Sequence, residues 1–428
     1  MKSGYVMKVF VFEDNAYVNL LPITYTRASF EVRVGSRTFL ENIVEKLRPE
    51  ETIVSARKYL EPVIKERYPY VSLDRELSED VLIVNGLLYI GGKELELIKN
   101  LLTEGVDKAL IKDGRLVVAK LSERNLRKIR QELFQDIELL KRYMKAEFVE
   151  DARLITYPWE LINYFPEILR EELSKYENEH SAIPSGVYVR GDEKNIYVED
   201  GSVIEPGSII DVRNGPVYIG RNVEVESPSR IIGPSYIGDS SMVFAARIET
   251  SIIGEECRIG GEVAYSVIHK YSNKRHFGFL GHSYVGEWVN LGAGFTNSNL
   301  KNTYGEIRMN IGGRNINTGR TFLGCIIGDH VRASIGALVY TAKRIGVGSQ
   351  IHGVIFEDIP SFTFYAKSLG LELIELDIEK VLKSVERMMA RRRISLRPVE
   401  EKLLRRIYED TAAERSLAGA KKKEIDFK

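Results

Sequence analysis

The sequence predicts an α/β domain with a parallel sheet, followed by an all-β left-handed parallel β-helix of hexapeptide repeats and a C-terminal helical tail. Three observations predict this fold class. Apolar strands alternate with amphipathic helical segments over about the first 150 residues. In the second half, aliphatic residues followed by glycine or a polar residue recur every six residues, as in a solenoid whose stacked repeats bury them. After Pro360 the apolar period becomes helical.

Length and composition limit the class of protein. With 428 residues and 44% hydrophobic residues, the chain is long enough for two or three domains with their own cores. The chain has 61 Lys and Arg residues and 61 Asp and Glu residues, so its formal net charge is zero. No overall electrostatic field therefore attracts the protein to nucleic acid or to an anionic membrane. A charged partner must therefore bind to a local patch.

Cysteine usage and the N-terminus indicate the compartment. Cys257 and Cys325 lie far apart without a metal-binding pattern, which favours small core residues in a reducing compartment and no metal site. The run VMKVFVF contains Lys8 and precedes acidic residues, so it indicates a buried strand rather than a signal peptide. No run approaches a membrane span. We expect a cytoplasmic protein, and the many Glu, Lys, Arg and Ile residues are typical of a thermophile.

The first domain, predicted over residues 1–176, begins with the strands VMKVFVF, ETIVSA and VLIVNG. Helices are predicted from Thr38, from about Lys58 and from about Lys93, and two helical segments between about 121 and 176 cover one flank. Ligands of parallel sheets bind at the carboxyl ends of the strands, so a nucleotide pocket is expected after Phe12. The polar residues 177–185 are predicted to be a linker.

The β-helix is predicted over residues 186–359, with interruptions around His269–Arg275 and Asn297–Asn317. Insertions in a solenoid form loops on its face, and function concentrates on such loops, so both are expected to close over one site. The tail, residues 360–428, is predicted to form two helices on either side of Pro398. The hexad positions are occupied by Ile219, Val225, Ile231, Ile237, Val243, Val285, Leu291, Ile327, Ala333, Val339, Ile345 and Ile351.

One stretch of the β-helix carries a family resemblance. His276 opens the run HFGFLGHSYVGEWVNLGAGFTNSN, in which Gly286, Asn290, a block ending at Gly294 and finally Asn299 follow at fixed spacings. This run resembles the acetyltransferase segment of the bifunctional family that joins glucosamine-1-phosphate N-acetyltransferase to N-acetylglucosamine-1-phosphate uridylyltransferase and makes UDP-N-acetylglucosamine. The run and the opening FEDNAYVNLLPITYTRASFEVRVG are similar to a divergent branch of that family.

The resemblance implies roles for the matching residues. His276 would be the general base for the sugar ammonium, with Asn299 and Asn290 orienting the base and the sugar. The backbone N–H groups of Ala293 or Gly294 would meet the thioester of acetyl-CoA. Phe279 stands where the family has a Tyr, so a hydroxyl contact to the sugar phosphate is lost. His282, six residues after His276, is the alternative base.

Phosphate ligands cannot be matched residue by residue, because the chain differs from the family before His276. Lys274 and Arg275 rank first as ligands of the sugar phosphate, and Arg247 is a further candidate. Lys343 and Arg344 would bind the pyrophosphate of CoA or lie in solvent. The basic runs beginning at Arg391 and at Lys421 form a solvated helix face, a site for the CoA phosphates, or a contact to a neighbouring subunit.

The nucleotidyltransferase part is matched more weakly. The family's glycine-rich phosphate turn is replaced by a turn without glycine, Ala28 stands where the family has a phosphate-binding Lys, and Leu87 where an Asp holds Mg²⁺. The domain is therefore either degenerate or an enzyme that uses other residues. The candidates for nucleotide binding are Asp14, Arg27, Arg33 and Asn85, of which Asp14 also fits an ordinary turn residue.

The resemblance leads to three hypotheses. The first is an acetyl-CoA-dependent N-acetyltransferase acting on glucosamine-1-phosphate or a related amino-sugar phosphate, with uridylyl transfer from UTP in the first domain if that domain is active and binds Mg²⁺. The second is a sugar-1-phosphate nucleotidyltransferase with the β-helix as trimerisation scaffold. The third is a non-catalytic sugar-nucleotide-binding module. The family implies a homotrimer, which would cover the apolar residues Phe277, Phe279 and Trp288.

Overall fold

The structure is a computed structural model, and it describes residues 7–73, 80–104, 106–126, 134–176 and 183–424. The chain divides into two compact units. Residues 1–20 and 27–157 form the first, and residues 21–26 and 158–428 form the second. The predicted domain limits at residues 176 and 186 stay a prediction, and residues 177–182 of the predicted linker lie outside the described residues.

The first unit is a mixed sheet with helices. Among its described residues the strand order is β2-β1-β3-β5-β4-β6, where β1 pairs in parallel with β2 and β3. The predicted parallel strands are thus confirmed, whereas the reversal at β5, which is antiparallel to β3 and β4, was not predicted. The strands are β1 (Lys8–Phe12), β2 (Glu51–Ser55), β3 (Val81–Asn85), β4 (Lys108–Lys112), β5 (Arg115–Leu121) and β6 (Lys145–Phe148). The helices are α1 (Phe39–Leu47), α2 (Glu61–Arg67), α3 (Gly92–Thr103), α4 (Glu123–Leu126) and α5 (Ile137–Leu140).

Local chemistry explains where α1 starts. Thr38 is extended and its hydroxyl accepts the N–H of Glu41 (3.3 Å), while the Glu41 carboxylate accepts the N–H of Thr38 (2.8 Å). This capping box satisfies two donors at the helix start. The helix ends at Arg48, which adopts the left-handed conformation.

The second unit begins with α6 (Pro158–Leu173), continues as a parallel β-helix, and ends in a helical tail. The predicted left-handed parallel β-helix of hexapeptide repeats and its helical tail are confirmed. The strands are β7 (Tyr188–Arg190), β8 (Ile196–Val198), β9 (Val203–Ile204), β10 (Ile209–Asp211), β11 (Val217–Ile219), β12 (Glu224–Val225), β13 (Arg230–Ile232), β14 (Ser235–Ile237), β15 (Met242–Glu249), β16 (Ile252–Ile253), β17 (Arg258–Ala264), β18 (Val267–Ile268), β19 (Asn273–Lys274), β20 (Phe279–Gly281), β21 (Tyr284–Val285), β22 (Asn290–Leu291), β23 (Thr296–Asn297), β24 (Arg308–Ile311), β25 (Arg314–Asn317), β26 (Ile326–Ile327), β27 (Arg332–Ala333), β28 (Leu338–Val339), β29 (Arg344–Ile345), β30 (Gln350–Ile351), β31 (Val354–Ile355), β32 (Thr363–Tyr365) and β33 (Ile374–Glu375).

Consecutive coils stack in register, so outward side chains form columns. One column, here the Asn290 column, runs through Met242, Arg258, Asn273, Asn290 and Arg332. The residue after each of these points inward, and apart from the lysine of β19 these inward residues are apolar and buried. A second column, here the Arg247 column, runs through Arg230, Arg247, Glu262 and Phe279.

The two predicted interruptions have different outcomes. The first is wrong, because residues 269–275 form a regular coil in which Asn273 pairs between Arg258 and Asn290. The second is present: the chain leaves the coil after β23, forms the antiparallel hairpin of β24 and β25, and rejoins the β-helix at β26. Only one of the two expected loops therefore exists.

The tail contains α7 (Ile378–Ala390), α8 (Pro398–Asp410) and α9 (Ala412–Leu417). The two predicted helices are present, with Pro398 in the first turn of α8 rather than in a kink, where its missing N–H costs nothing. Both cysteines are buried and free, as predicted. None of the helices in the described ranges is long and apolar enough to cross a membrane.

Candidate active site

His276 lies at the corner that joins the two columns. It follows β19, which belongs to the Asn290 column, and precedes β20, which belongs to the Arg247 column. The corner residues Arg275, His276 and Phe277 are exposed, because a sharp turn places their side chains outside the coil. The imidazole of His276 can therefore reach a ligand on the surface of the β-helix.

The side chains of His276 and Asn290 line one cavity of about 690 Å³. We call it the arginine pocket, because six arginines line it and Glu226 is the only acidic residue among its lining residues. The amide of Asn273 donates to Oδ1 of Asn290 at 2.6 Å, which fixes the orientation of Asn290. His276 and Asn290, which were predicted to serve one site, thus line the same cavity. The arginines are Arg258, Arg275, Arg332, Arg387, Arg391 and Arg392.

Sequence reasoning missed Arg258 and Arg332 as site residues. Both stand in the Asn290 column, one position before an inward residue, so the hexad register contained the signal. The basic run beginning at Arg391 was a candidate site for the CoA phosphates, whereas Arg387 was missed. Only tertiary packing places the end of α7 against the β-helix.

Lys274 is not a phosphate ligand, and its predicted role is corrected. The residue points inward, is 2% exposed, and donates from Nζ to the carbonyl oxygens of Gly260 (2.9 Å), His276 (3.2 Å) and Gly278 (2.8 Å). Burial lowers the pKa of this ammonium to about 8, so it is charged at neutral pH. Lys274 therefore stabilises, through these three hydrogen bonds, the backbone of the corner at which His276 lies.

We expect Lys274→Met to reduce turnover of acetyl transfer without raising the KM for the sugar phosphate in proportion. The variant keeps the side-chain length but leaves three buried carbonyl groups without their donor, which costs about 1–3 kcal/mol for each unsatisfied group and loosens the corner. Steady-state kinetics of the variant test this. Lys270→Met, which removes a partly exposed ammonium in the turn before β19, 4.0 Å from Glu287, is the matched control. A raised KM for the acceptor with normal kcat would show instead that Lys274 binds substrate.

His282 and Asn299 form a separate pair. Nδ2 of Asn299 lies 2.9 Å from Nδ1 of His282, whose ring stacks between Tyr265 and Phe322. With the amide donating to Nδ1, the neutral ring carries its proton on Nε2 and cannot accept a second one there. Burial also lowers the pKa of His282 to about 4, so the imidazole is a weak base. These features favour His276 over His282 as the base, and they place Asn299 beside His282.

A second cavity, of about 630 Å³, lies along the Arg247 column and contains Arg247 and Phe279. Arg247 is engaged by Glu249 and by Glu262 (3.3 Å), so its charge is already balanced. The Phe279 ring and the Asn299 amide pack closely against Gly281. A Cβ added at this glycine would overlap the ring and lie 2.7 Å from the amide nitrogen. The predicted substrate residues are thus divided between two cavities.

The residues predicted to bind acetyl-CoA do not all remain available to a ligand at one place. The N–H of Gly294 donates to the carbonyl of Phe277 at 3.0 Å and is not available to a ligand. Among the described residues no acceptor takes the N–H of Ala293, so of the two predicted donors Ala293 remains. Arg344 forms an ion pair with Asp358 at 3.1 Å, and neither it nor Lys343 lines the arginine pocket.

The first unit has a cavity of about 270 Å³ after β1, where the sequence predicted a ligand. Asp14 lines it and accepts from Asn85 (2.8 Å) and from Nε of Arg115 (2.7 Å), so two predicted residues do meet. Arg115, at the start of β5, was missed because β5 was not predicted. Its Nη1 donates to the carbonyl of Ile155 and to the hydroxyl of Thr156.

The remaining predicted nucleotide ligands are elsewhere. Arg27 is 1% exposed and Arg33 is 7% exposed, and neither lines this cavity, so the prediction that these two arginines bind the nucleotide there is corrected. Leu87 is fully buried, and its N–H donates to Asn85. Within the described part of the chain no group of three His, Cys, Asp or Glu could hold a metal ion, and Asp14 is already neutralised by Arg115. The residues present therefore do not fit Mg²⁺.

Comparison with known proteins agrees with this architecture. The family described as sugar nucleotidyl transferase matches residues 9–181. The bifunctional sugar-1-phosphate nucleotidylyltransferase/acetyltransferase of Sulfurisphaera tokodaii is 25% identical over 417 residues, which cover 84% of this chain and 100% of that protein. This chain is similar to that bifunctional transferase over most of its length.

Two further relatives carry the name bifunctional protein GlmU. The protein from Methanocaldococcus jannaschii is 25% identical over 356 residues, covering 80% of this chain and 76% of that protein. The protein from Acaryochloris marina is 34% identical over 116 residues, covering 26% of this chain and 24% of that protein. The match to the M. jannaschii protein thus extends over most of both chains, and the match to the A. marina protein is local.

Proposed function

We propose that this protein is an acetyl-CoA-dependent N-acetyltransferase that acts on glucosamine-1-phosphate or a related amino-sugar phosphate. The observation that carries the proposal is the position of His276 and Asn290 at one cavity, with arginines on its walls. The names of the relatives support an acetyltransferase function joined to a nucleotidyltransferase function.

The chain's own residues provide the functions that N-acetylation needs. His276 takes the proton that the sugar ammonium must lose before it can attack. Asn290, held by Asn273, orients the sugar beside the imidazole. The surrounding arginines neutralise the sugar phosphate, and a guanidinium is well suited to bidentate contacts with phosphate oxygens.

The residues present also fit acetyl-CoA. The cofactor supplies the acetyl group as a thioester. The N–H of Ala293 is a donor for the acetyl carbonyl oxygen. The buried N–H groups of Arg332 and Arg392, which have no hydrogen-bond partner among the described residues, are available for its phosphates.

Release of free thiol from acetyl-CoA in the presence of glucosamine-1-phosphate tests this function. We expect release that depends on both substrates and on His276. Absence of thiol release above the level of a His276→Ala variant would refute the proposal. Other amino-sugar phosphates, used in the same assay, identify the acceptor.

The first unit has a second candidate function, the binding of a sugar nucleotide or UTP at the cavity of Asp14 and Arg115. Its support is the placement of the cavity after β1 and the match to sugar nucleotidyl transferases over residues 9–181. Pyrophosphate release from UTP with a sugar-1-phosphate, measured with and without Mg²⁺, separates transfer from binding. Binding without turnover would identify this unit as a non-catalytic module.

We further propose that three copies assemble, and we expect sedimentation equilibrium to show about three times the 48.7 kDa mass of the chain. Exposed apolar residues on neighbouring coils support this, because three-fold closure covers such a face without leaving an open surface. Trp288 does not contribute, since it is 5% exposed and stacks on Tyr271 at 4.3 Å. A monodisperse monomer would contradict the proposal. The exposed residues are Phe277, Ile335, Leu338, Tyr340 and Phe356.

A further inference from the structure

We propose that Thr26 is a positioning residue of the acetylation site, which acts on Asn290 through Asp329 and the turn between β21 and β22. The inference deepens the proposed function and rests on it for the identity of the acceptor. Thr26 lies in residues 21–26, here the insert segment. This segment belongs to the second unit, although the residues before and after it in the chain belong to the first.

The insert segment is held in the second unit by close packing and by side-chain hydrogen bonds. Thr26 is 2% exposed. The hydroxyl of Tyr25 donates to the carboxylate of Glu414 in α9. A Cβ added at Gly328 would lie 3.1 Å from the Cβ of Pro22, so the segment packs directly against the turn between β26 and β27. Thr26 is therefore fixed beside that turn.

The carboxylate of Asp329 connects Thr26 to the next turn of the β-helix. The hydroxyl of Thr26 donates to Oδ2 of Asp329 at 2.6 Å, and Oδ1 of the same carboxylate accepts the N–H of Glu287 at 2.8 Å. Asp329 is only 2% exposed, so its oxygens depend on protein donors rather than on bulk water. Without the Thr26 hydroxyl, the carboxylate would be less firmly oriented toward Glu287.

The turn that begins at Glu287 leads directly to the acetylation site. The N–H of His330 donates to the carbonyl oxygen of Glu287 at 2.9 Å, and the N–H of Asn290 donates to the carbonyl oxygen of Val331 at 2.9 Å. Trp288, which lies in this turn, lines the arginine pocket together with Asn290. The position of Asn290 at the pocket therefore depends on the packing of the two turns, which the buried carboxylate also joins.

An earlier coil shows what Thr26 adds. There the N–H of Arg221 donates to Oδ1 of Asp239 at 2.9 Å, as the N–H of Glu287 does to Asp329. The side chain of Asp239 is 37% exposed, and its Oδ2 forms an ion pair with Arg221 at 3.1 Å. At the acetylation site the corresponding carboxylate is buried, and the hydroxyl of Thr26 donates to its Oδ2 instead. The coil of the site thus differs from the repeat by using a donor from the insert segment.

A purely structural role for the insert segment explains only part of these observations. Burial alone would hold the segment, because Ile23 and Thr24 are fully buried. It does not explain why Thr26 donates to the carboxylate whose other oxygen holds the turn before Asn290. The two roles also differ in their effect on kinetics. Because Asn290 orients the sugar, a positioning role predicts a raised KM for the acceptor in a protein that remains folded.

Steady-state kinetics of thiol release by the full-length protein test the proposal. We expect Thr26→Val, which keeps the shape of the side chain and deletes the hydroxyl, to raise the KM for glucosamine-1-phosphate by about tenfold, with kcat changed by less than about threefold. Thr26→Ser, which keeps the hydroxyl, should keep the wild-type KM. If circular dichroism shows that Thr26→Val does not fold, Thr26→Ala takes its place in the same comparison.

Tyr25→Phe is the matched control, because it deletes the hydrogen bond from the same segment to Glu414 and leaves Asp329 untouched. We expect its KM for glucosamine-1-phosphate to equal that of the wild type. An unchanged KM in Thr26→Val, or an equal rise in Tyr25→Phe, would overturn the proposal.

Fluorescence of Trp288 tests the turn without any turnover. The chain has two tryptophans, so Trp159→Phe leaves Trp288 as the reporter. In this background we expect Thr26→Val to increase the quenching of Trp288 by acrylamide, whereas Thr26→Ser and Tyr25→Phe keep the value of the background protein. Unchanged quenching in Thr26→Val would overturn the proposal. If the wild type released no thiol, the proposed function would be refuted, but stronger quenching in Thr26→Val alone would still show that Thr26 holds the turn.

Discussion

His276→Ala is expected to lower kcat for acetyl transfer by about 10²- to 10⁴-fold, the usual contribution of a general base. His276 is exposed at the corner next to Asn290, and its side chain is not part of the core, so the fold should persist. Kinetics of thiol release measure the effect, and circular dichroism checks that the variant is folded.

The matched control is His282→Phe, which keeps an aromatic ring between Tyr265 and Phe322 and deletes both ring nitrogens. We expect kcat to stay within a few-fold of the wild type. The pair Asn299 and His282 would then have a structural role in the stack. If His282→Phe were inactive and His276→Ala near normal, the base would lie at the next corner of the same coil rather than at the corner that we assign.

Gly260→Ala is expected to disable the same corner through the backbone alone. A Cβ at this position would overlap the carbonyl oxygen of Arg275, the residue before His276, and Gly260 is buried with no room to move. Its own carbonyl also accepts from Lys274 at 2.9 Å. We expect a loss of about 1–3 kcal/mol in the free energy of unfolding, as for other overpacked sites, together with loss of acetyl transfer.

Gly305→Ala is the control for this variant. A Cβ there would contact only the tips of Lys301 and Thr303, both at 3.8 Å, in the loop that follows β23. Chemical denaturation should therefore give the wild-type free energy within about 0.5 kcal/mol. Wild-type stability and activity in Gly260→Ala would mean that the corner adapts and that the packing described for His276 is not required.

The sequence predicted the β-helix well because its signal is repeated. Each hexad places an aliphatic residue inward, and stacking makes the same prediction at every coil, as at Ile237, Val285 and Ile345. Lys274 occupies such an inward position, so the hexad register already predicts that its side chain is buried. It was nevertheless assigned to phosphate because a lysine near His276 resembles a ligand when only the chain order is considered.

The first unit was harder, since its ligand residues come from distant strands. Asp14 follows β1 and Asn85 ends β3, two strands that the apolar pattern identified, and the two side chains do meet. Arg115 comes from a strand that runs antiparallel to β3, and no pattern in the sequence indicated that direction. Arg27 and Arg33 were candidates for nucleotide binding by their place in the sequence, but both are buried and neither lines the cavity.

By itself, the sequence determined the order of the architectures, the strand and coil periodicity, and the proximity of His276 to Asn290, because these depend on local spacing and on burial of aliphatic side chains. Tertiary structure alone decided which polar groups are free to bind a ligand. It buried Lys274 against three carbonyls, paired Asn299 with His282, and packed the arginines after α7 against a column of the β-helix. Such outcomes depend on desolvation and hydrogen-bond competition between residues far apart in the chain, which spacing does not encode.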